Sequence, residues 1–184
     1  CPATWRTITI AQLLSHRSGL PNYTDYASFD ATQMLPTTPA ELVARFRDQP
    51  LLFTPGTGYM YENSDYVLLG MLIEKVTGRP YADVLQTSIF GPLGMRDTGA
   101  DTDTQPGRAQ GYHLSGELAP PLDPSTLFAA GALHSTTHDL LRWDQALYTD
   151  QLLPPEMRDL MWQPNQGKYG YGWLLGNRGG QLDG

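Results

Sequence analysis

The stretch from Leu52 to Gly78 constrains the fold most, because it changes from a turn to an extended segment and then to a helix. Pro55-Gly56 is a turn signal, since proline fixes φ and glycine reaches conformations that other residues avoid. Apolar residues then recur at three- and four-residue spacing and predict a helix from about Ser64; they are Val67, Leu68, Met71, Leu72 and Val76. Gly78 is well placed to end this helix.

Polar side chains lie in the extended part, directly before the helix. Tyr59, Tyr61 and Asn63 alternate there, and a period of two places them on one face. A phenol and an amide held outward at the start of a buried helix suit chemistry, so Tyr61 and Asn63 are the candidate catalytic residues. Two structural alternatives stand beside this interpretation. Tyr61 is then a half-buried aromatic at the helix entry, and Asn63 is the N-cap, a role that Ser64 also fits.

Helix-start signals recur along the rest of the chain, at Thr9-x-x-Gln12, Thr38-Pro39-x-Glu41, Thr136-x-x-Asp139 and Pro154-Pro155-Glu156. Strand signals are fewer: residues 110–114 are expected to pair with 118–119, and 169–175 alternate like a strand before a hairpin turn at Gly179-Gly180. The chain is therefore expected to be one α+β domain, helical over about 1–163, with the start of a sheet over about 168–184.

Composition excludes several classes of function. A net charge of −7 and a pI near 4.9 argue against a nucleic-acid partner, because phosphate binding needs clustered lysine and arginine. No apolar run approaches the roughly 18 residues of a membrane span. The single cysteine, Cys1, excludes an internal disulfide.

Histidines offer two further candidate sites. His16 and Ser18 flank a turn and suggest a base and a nucleophile, but no Gly-x-Ser-x-Gly elbow or clear partner carboxylate accompanies them, which favours a role in closing the loop. His134 and His138 have a spacing that invites a metal. His134 lies before the helix cap and no third ligand is evident, so we expect no metal and no cofactor.

The element Tyr61-Glu62-Asn63 resembles the Tyr-x-Asn motif of the penicillin-recognising serine hydrolases, which include class C β-lactamases, D-alanyl-D-alanine carboxypeptidases and related esterases. The resemblance continues in order through Ile8–Pro21, Tyr81–Met95, Ala129–Leu140 and Tyr169–Trp173. It implies the mainly helical middle portion of the β-lactamase/transpeptidase-like fold, with a short piece of its antiparallel sheet at the C-terminal end. Glu62 and Ala132 depart from the family pattern, which often has a small residue and a second glycine there.

This resemblance implies acyl transfer, in which Tyr61 exchanges protons with a serine and a leaving group while Asn63 orients the substrate amide. The family's Ser-x-x-Lys nucleophile is not found, since the only lysines, Lys75 and Lys168, follow Leu72 and Asn165 at that spacing. The Lys-Thr-Gly or His-x-Gly element expected after Trp173 is not found either. We therefore expect an incomplete domain that is inactive alone.

In the intact protein the resemblance implies a small-molecule or peptide substrate, and it favours a periplasmic or extracellular location while leaving a cytoplasmic one open. Apolar surface bared by truncation is expected to promote self-association. The alternative is a non-catalytic domain that keeps the middle of this fold for binding a ligand or partner.

Overall fold

The computed structural model describes residues 2–101, 107, 109–165 and 169–176. Its α-helices are α1 (Ile10–Leu14), α2 (Ala27–Thr32), α3 (Pro39–Phe46), α4 (Asn63–Thr77), α5 (Tyr81–Leu85), α6 (Gly91–Leu93), α7 (Thr137–Ala146) and α8 (Pro155–Met161). A π-helical turn, Gln86–Phe90, joins α5 to α6, and 3-10 turns lie at Ala3–Trp5, Tyr23–Asp25, Pro124–Thr126 and Phe128–Ala130. Strands β1 (Gly99–Ala100) and β2 (Leu133–His134) pair antiparallel.

Helix α4 is the element against which much of the domain packs. It begins at Asn63, about one residue before the predicted start, and ends as predicted at Gly78, whose φ is 67°. Val67 is fully buried. A Cβ at Gly70 would lie 2.4 Å from the Cβ of Ala129, so the missing side chain is what allows the turn over Phe128–Ala130 to pack directly on the helix.

Three of the predicted helix starts are confirmed by capping bonds, and α8 begins at Pro155 as predicted, without a side-chain capping bond. Thr9 and Thr38 each accept a hydrogen bond from the backbone three residues on, and Gln12 and Glu41 return the bond as complete capping boxes. The Thr136 side chain likewise accepts from the backbone N–H of Asp139 at the start of α7.

The buried core lies between α1, α3, α4 and the segment over residues 20–29. Phe46 stacks on Trp5 and Tyr23, at ring-centroid distances of 5.7 and 6.2 Å. The Tyr23 hydroxyl donates to the carbonyl of Thr126 at 2.6 Å, and burial raises the pKa of Tyr23 to about 12, although the charge of Arg45 opposes this. The fully buried apolar residues are Leu20, Tyr23, Leu42, Phe46 and Val67.

Among the described residues, antiparallel pairing outside β1 and β2 consists of two isolated bridges. Tyr112 and Leu118 form a bridge, as predicted for this hairpin. In the described part of the C-terminal segment the pairing is one bridge between Tyr169 and Leu174, and the predicted turn at Gly179-Gly180 lies outside the described residues. Among the described helices, none has the length and hydrophobicity that crossing a membrane requires.

Candidate active site

The extended segment before α4 is braced by the loop that follows α1. Backbone N–H groups of Leu52, Gly56 and Met60 donate to the carbonyls of Gly19, Arg17 and His16, at 2.7, 2.8 and 3.0 Å. The Arg17 side chain also donates to the carbonyl of Gly56. Gly19 has a φ of 77°, and a Cβ there would lie 2.2 Å from the carbonyl oxygen of Phe53, so this close approach requires glycine.

Tyr61 and Asn63 stand at the end of this braced segment. The Tyr61 side chain is 53% exposed, and within the described residues its hydroxyl has no hydrogen bond. Asn63 is partly buried, and its side-chain amide donates to Thr24 Oγ1 at 3.0 Å. The structure therefore leaves the Tyr61 phenol available and holds the Asn63 amide in one orientation.

Neither Asn63 nor Ser64 is the N-cap of α4, so both capping alternatives from the sequence are wrong. The N-cap residue of α4 is Glu62, which makes no side-chain capping bond. The backbone N–H of Asn63 instead donates to Asn22 Oδ1 at 3.1 Å. Ser64 is fully buried, donates to the carbonyl of Pro21 at 2.6 Å and accepts from the backbone of Tyr23. The amide of Asn63 is thus not spent on capping.

His16 and Ser18 meet a carboxylate that the sequence did not reveal, that of Asp65 in the first turn of α4. Ser18 Oγ donates to Asp65 Oδ1 at 2.5 Å, and Asp65 Oδ2 lies 3.4 Å from His16 Nδ1. Both side chains face the carboxylate, and the histidine is not bonded to the serine as a catalytic triad requires. Ser18 is also fully buried. These contacts support the loop-closing interpretation.

The buried acids beneath this site have perturbed proton affinities. Burial raises the pKa of Asp65, although the proximity of His16 and the hydrogen bond from Ser18 oppose this. Glu62 is also fully buried, and neither of its carboxyl oxygens has a hydrogen bond within the described residues. Burial, with smaller contributions from Asp65 and Asp25, raises the pKa of Glu62 to about 8. The Glu62 carboxyl is therefore largely protonated at neutral pH.

The aromatic rings of Tyr59, Tyr66 and Tyr169 surround His16, and Tyr169 is a residue that the sequence did not single out. The Tyr169 hydroxyl lies 3.2 Å from His16 Nε2, and its ring is 5.8 Å from that of Tyr59. Tyr66 donates to the carbonyl of Leu14 at 3.1 Å. Burial raises the pKa of Tyr66 and of Tyr169, so both phenols stay protonated near neutral pH. The only sequence signal for Tyr169 was its place in the segment 169–173.

His134 and His138, the pair whose spacing suggested a metal site, do not form one with other described side chains. His134 lies on β2, with Nδ1 4.0 Å from Asp101 Oδ1, while His138 is exposed in the first turn of α7. Among the described residues, no group of three or more histidine, cysteine, aspartate or glutamate side chains is placed to hold a metal ion.

The nearby Asp139 carboxylate has a structural role. It accepts from the backbone of Asp97, from Thr98 and from Arg142. Burial alone would raise the pKa of Asp139, but these hydrogen bonds outweigh burial and hold the pKa below its usual range. The carboxylate therefore joins the start of α7 to the segment before β1.

Known proteins are similar to this chain in sequence and in fold. The chain matches the Beta-lactamase family over residues 2–184. It is 34% identical over 200 residues to penicillin-binding protein 4* of Bacillus subtilis. This alignment covers 94% of the present chain and 44% of the Bacillus protein. A D-stereospecific amidohydrolase from Streptomyces sp. superposes with a TM-score of 0.78 at 31% identity, over 93% of this chain and 59% of that one.

A third relative is the octameric penicillin-binding protein homologue from Pyrococcus abyssi, with a TM-score of 0.76 at 28% identity over 90% of this chain and 42% of that one. The chain thus spans less than two thirds of the length of each of these relatives. The extent of the family match and the similarity of the fold lead to one conclusion, that the chain belongs to the Beta-lactamase family, in the branch of serine β-lactamases and penicillin-binding proteins.

Proposed function

We propose that this chain forms the helical wall of the active site of a serine hydrolase that cleaves an amide or ester bond through an acyl-enzyme. The observation that carries the proposal is the exposed Tyr61 hydroxyl, which has no hydrogen bond within the described residues and sits on a segment braced by the loop after α1. A side chain held in place but left unbonded is available to a reacting group.

Tyr61 is the proton carrier in this proposal. A serine hydroxyl must lose its proton to attack a carbonyl, and the leaving group must then gain one. A tyrosine with an ordinary pKa near 10 is a poor base at neutral pH, so it needs cationic neighbours that favour the phenolate. A lysine of a Ser-x-x-Lys element and the basic residue of a Lys-Thr-Gly or His-x-Gly element would supply that charge.

Asn63 orients the substrate. Its amide nitrogen is directed to Thr24, which leaves the amide oxygen as the group that can accept a hydrogen bond from a substrate amide. The substrate is a small molecule or peptide with an amide or ester bond, and the amidohydrolase relative supports an amide. The net charge of −7 disfavours a nucleic-acid partner.

The 184 residues contain no Ser-x-x-Lys element, so we expect them to be inactive alone. The test compares this chain with the full-length protein by incubating each with a fluorescent penicillin and a fluorescent phosphonate. Covalent label is expected on an upstream serine of the full-length protein and not on the 184-residue chain. Label on the chain itself, or no upstream Ser-x-x-Lys serine in the full-length protein, would contradict the proposal.

Self-association is part of the same proposal. An apolar groove of about 820 Å³ lies across α1, α3 and α4; its lining residues are Trp5, Ile8, Leu13, Val43, Leu68, Met71, Leu72, Glu74 and Lys75. An exposed apolar surface of this kind favours contact with another protein surface. The related protein from Pyrococcus abyssi is an octamer, and we propose that copies of the present chain associate through the groove.

A further inference from the structure

His16 contacts the residues on both sides of Tyr61. Its carbonyl oxygen accepts from the backbone N–H of Met60 at 3.0 Å, and its Nδ1 accepts from the backbone N–H of Glu62 at 3.1 Å. Its ring centroid lies 4.4 Å from that of Tyr61, with the ring planes at 42°. One residue thus holds Tyr61 through the backbone before it, the backbone after it and the ring itself.

The backbone of His16 has an unusual conformation. Its φ is 55°, in the left-handed region that few residues other than glycine adopt. The side chain is nevertheless almost fully buried, at 1% exposure. A strained residue of this kind persists only where its surroundings determine its position, and such residues concentrate at functional sites.

The hydrogen bonds of His16 define which ring nitrogen carries the proton. A backbone N–H only donates, so Nδ1 must be bare to accept from Glu62, and Nε2 carries the proton toward the Tyr169 hydroxyl at 3.2 Å. Asp65 Oδ2, 3.4 Å from Nδ1, competes for the same position. A proton on Nδ1 could be donated to Asp65, but it would leave the backbone N–H of Glu62 facing another N–H group.

We propose that His16 is a positioning residue for Tyr61, fixing the phenol where it must exchange a proton. This role rests on the proposed function of Tyr61. The contacts between His16 and the segment around Tyr61 do not depend on that function. His16 touches no reacting group itself, so it acts only through the location of Tyr61. Misplacing a catalytic group by about 1 Å is enough to cost roughly 100-fold in rate.

Amide hydrogen exchange of the 184-residue chain tests the contacts directly. In His16→Ala we expect the Glu62 amide to exchange roughly tenfold faster, which corresponds to one lost hydrogen bond, while the Val67 amide inside α4 keeps its protection. His16→Asn retains an acceptor near the position of Nδ1 and should restore most of the protection. His138→Asn, at an exposed histidine on α7, is the matched control and should change neither amide.

An unchanged Glu62 amide in His16→Ala, or an equal loss of protection at Val67, would overturn the proposal, because a merely structural histidine loosens the domain as a whole. If His16→Ala does not fold, Tyr169→Phe carries the test, because it removes only the partner of Nε2. It should increase Glu62 exchange measurably without changing the Val67 amide, and no increase at Glu62 in Tyr169→Phe would overturn the proposal.

Acylation of the full-length protein separates this proposal from the proposed function. We expect His16→Ala to slow covalent labelling by a fluorescent penicillin roughly 100-fold with little change in the reversible binding constant, and His16→Asn to recover part of the rate. Equal rates in wild type and His16→Ala would refute positioning while leaving the hydrolase intact. A wild-type protein that is never acylated would refute the hydrolase, and the amide exchange result would still decide whether His16 holds Tyr61.

Discussion

Within the described residues, neither carboxyl oxygen of Glu62 has a hydrogen bond that would stabilise a negative charge. Glu62 is fully buried at the N-cap of α4, and the charges that act on it, those of Asp65 and Asp25, are negative as well. A charged carboxylate is costly in such surroundings unless it is paired, so the group remains protonated instead. The departure of Glu62 from the usual small residue of the motif therefore places a buried proton-binding group directly after Tyr61 in the chain.

The raised pKa of Glu62 predicts a pH-dependent stability. The folded pKa of about 8 lies above the ordinary value of 4.5, so the folded state binds this proton more tightly than the unfolded state does. The stabilisation is complete below about pH 4.5 and is lost as the pH rises through 8, by a few kcal/mol at most. Asp65, whose pKa is also raised, acts in the same direction.

Urea unfolding of wild type and Glu62→Gln at pH 5, 7 and 9 measures this effect. The free energy of unfolding of the wild type should fall from pH 5 to pH 9, whereas that of Glu62→Gln should fall less and exceed the wild-type value at pH 9. Parallel pH dependences in the two proteins would show that the Glu62 carboxyl is not the titrating group.

Helices of this domain were predictable where their signals are local. The capping boxes at Thr9 and Thr38 join residues three apart, so the sequence alone contains both partners of each bond. The strands of the sheet, β1 and β2, contain two residues each, which is too short for a period-two pattern to be detected. Their pairing depends on the packing around them.

The contacts that organise the site are long-range and were not predictable. Ser18 and Asp65 are 47 residues apart, and His16 and Tyr169 are 153 apart. The sequence indicated Tyr61 and Asn63 through the motif, and it indicated His16 and Ser18 only as a pair near a turn. No local pattern connects His16 and Ser18 to α4 or to the segment at Tyr169. The sequence therefore revealed neither the Asp65 carboxylate nor the Tyr169 hydroxyl as their partners.

At the scale of the whole molecule, the apolar groove on the face of α1, α3 and α4 predicts association. Sedimentation velocity of the 184-residue chain should show a mass that increases with concentration. Leu72→Glu places a charge in the groove and should keep the chain monomeric, whereas Leu114→Glu alters an exposed leucine elsewhere and should not. A wild-type chain that is monomeric at every concentration, or an equal effect of both substitutions, would contradict the prediction.

The most direct test of the central claim is the rate at which the full-length protein is acylated when the Tyr61 hydroxyl is removed. Tyr61→Phe keeps the ring against His16 but removes the proton carrier, so we expect covalent labelling to slow by roughly 10²- to 10⁴-fold. Tyr59→Phe removes a hydroxyl from the same braced segment and should retain a rate near that of wild type. Equal rates in Tyr61→Phe and wild type would contradict the account.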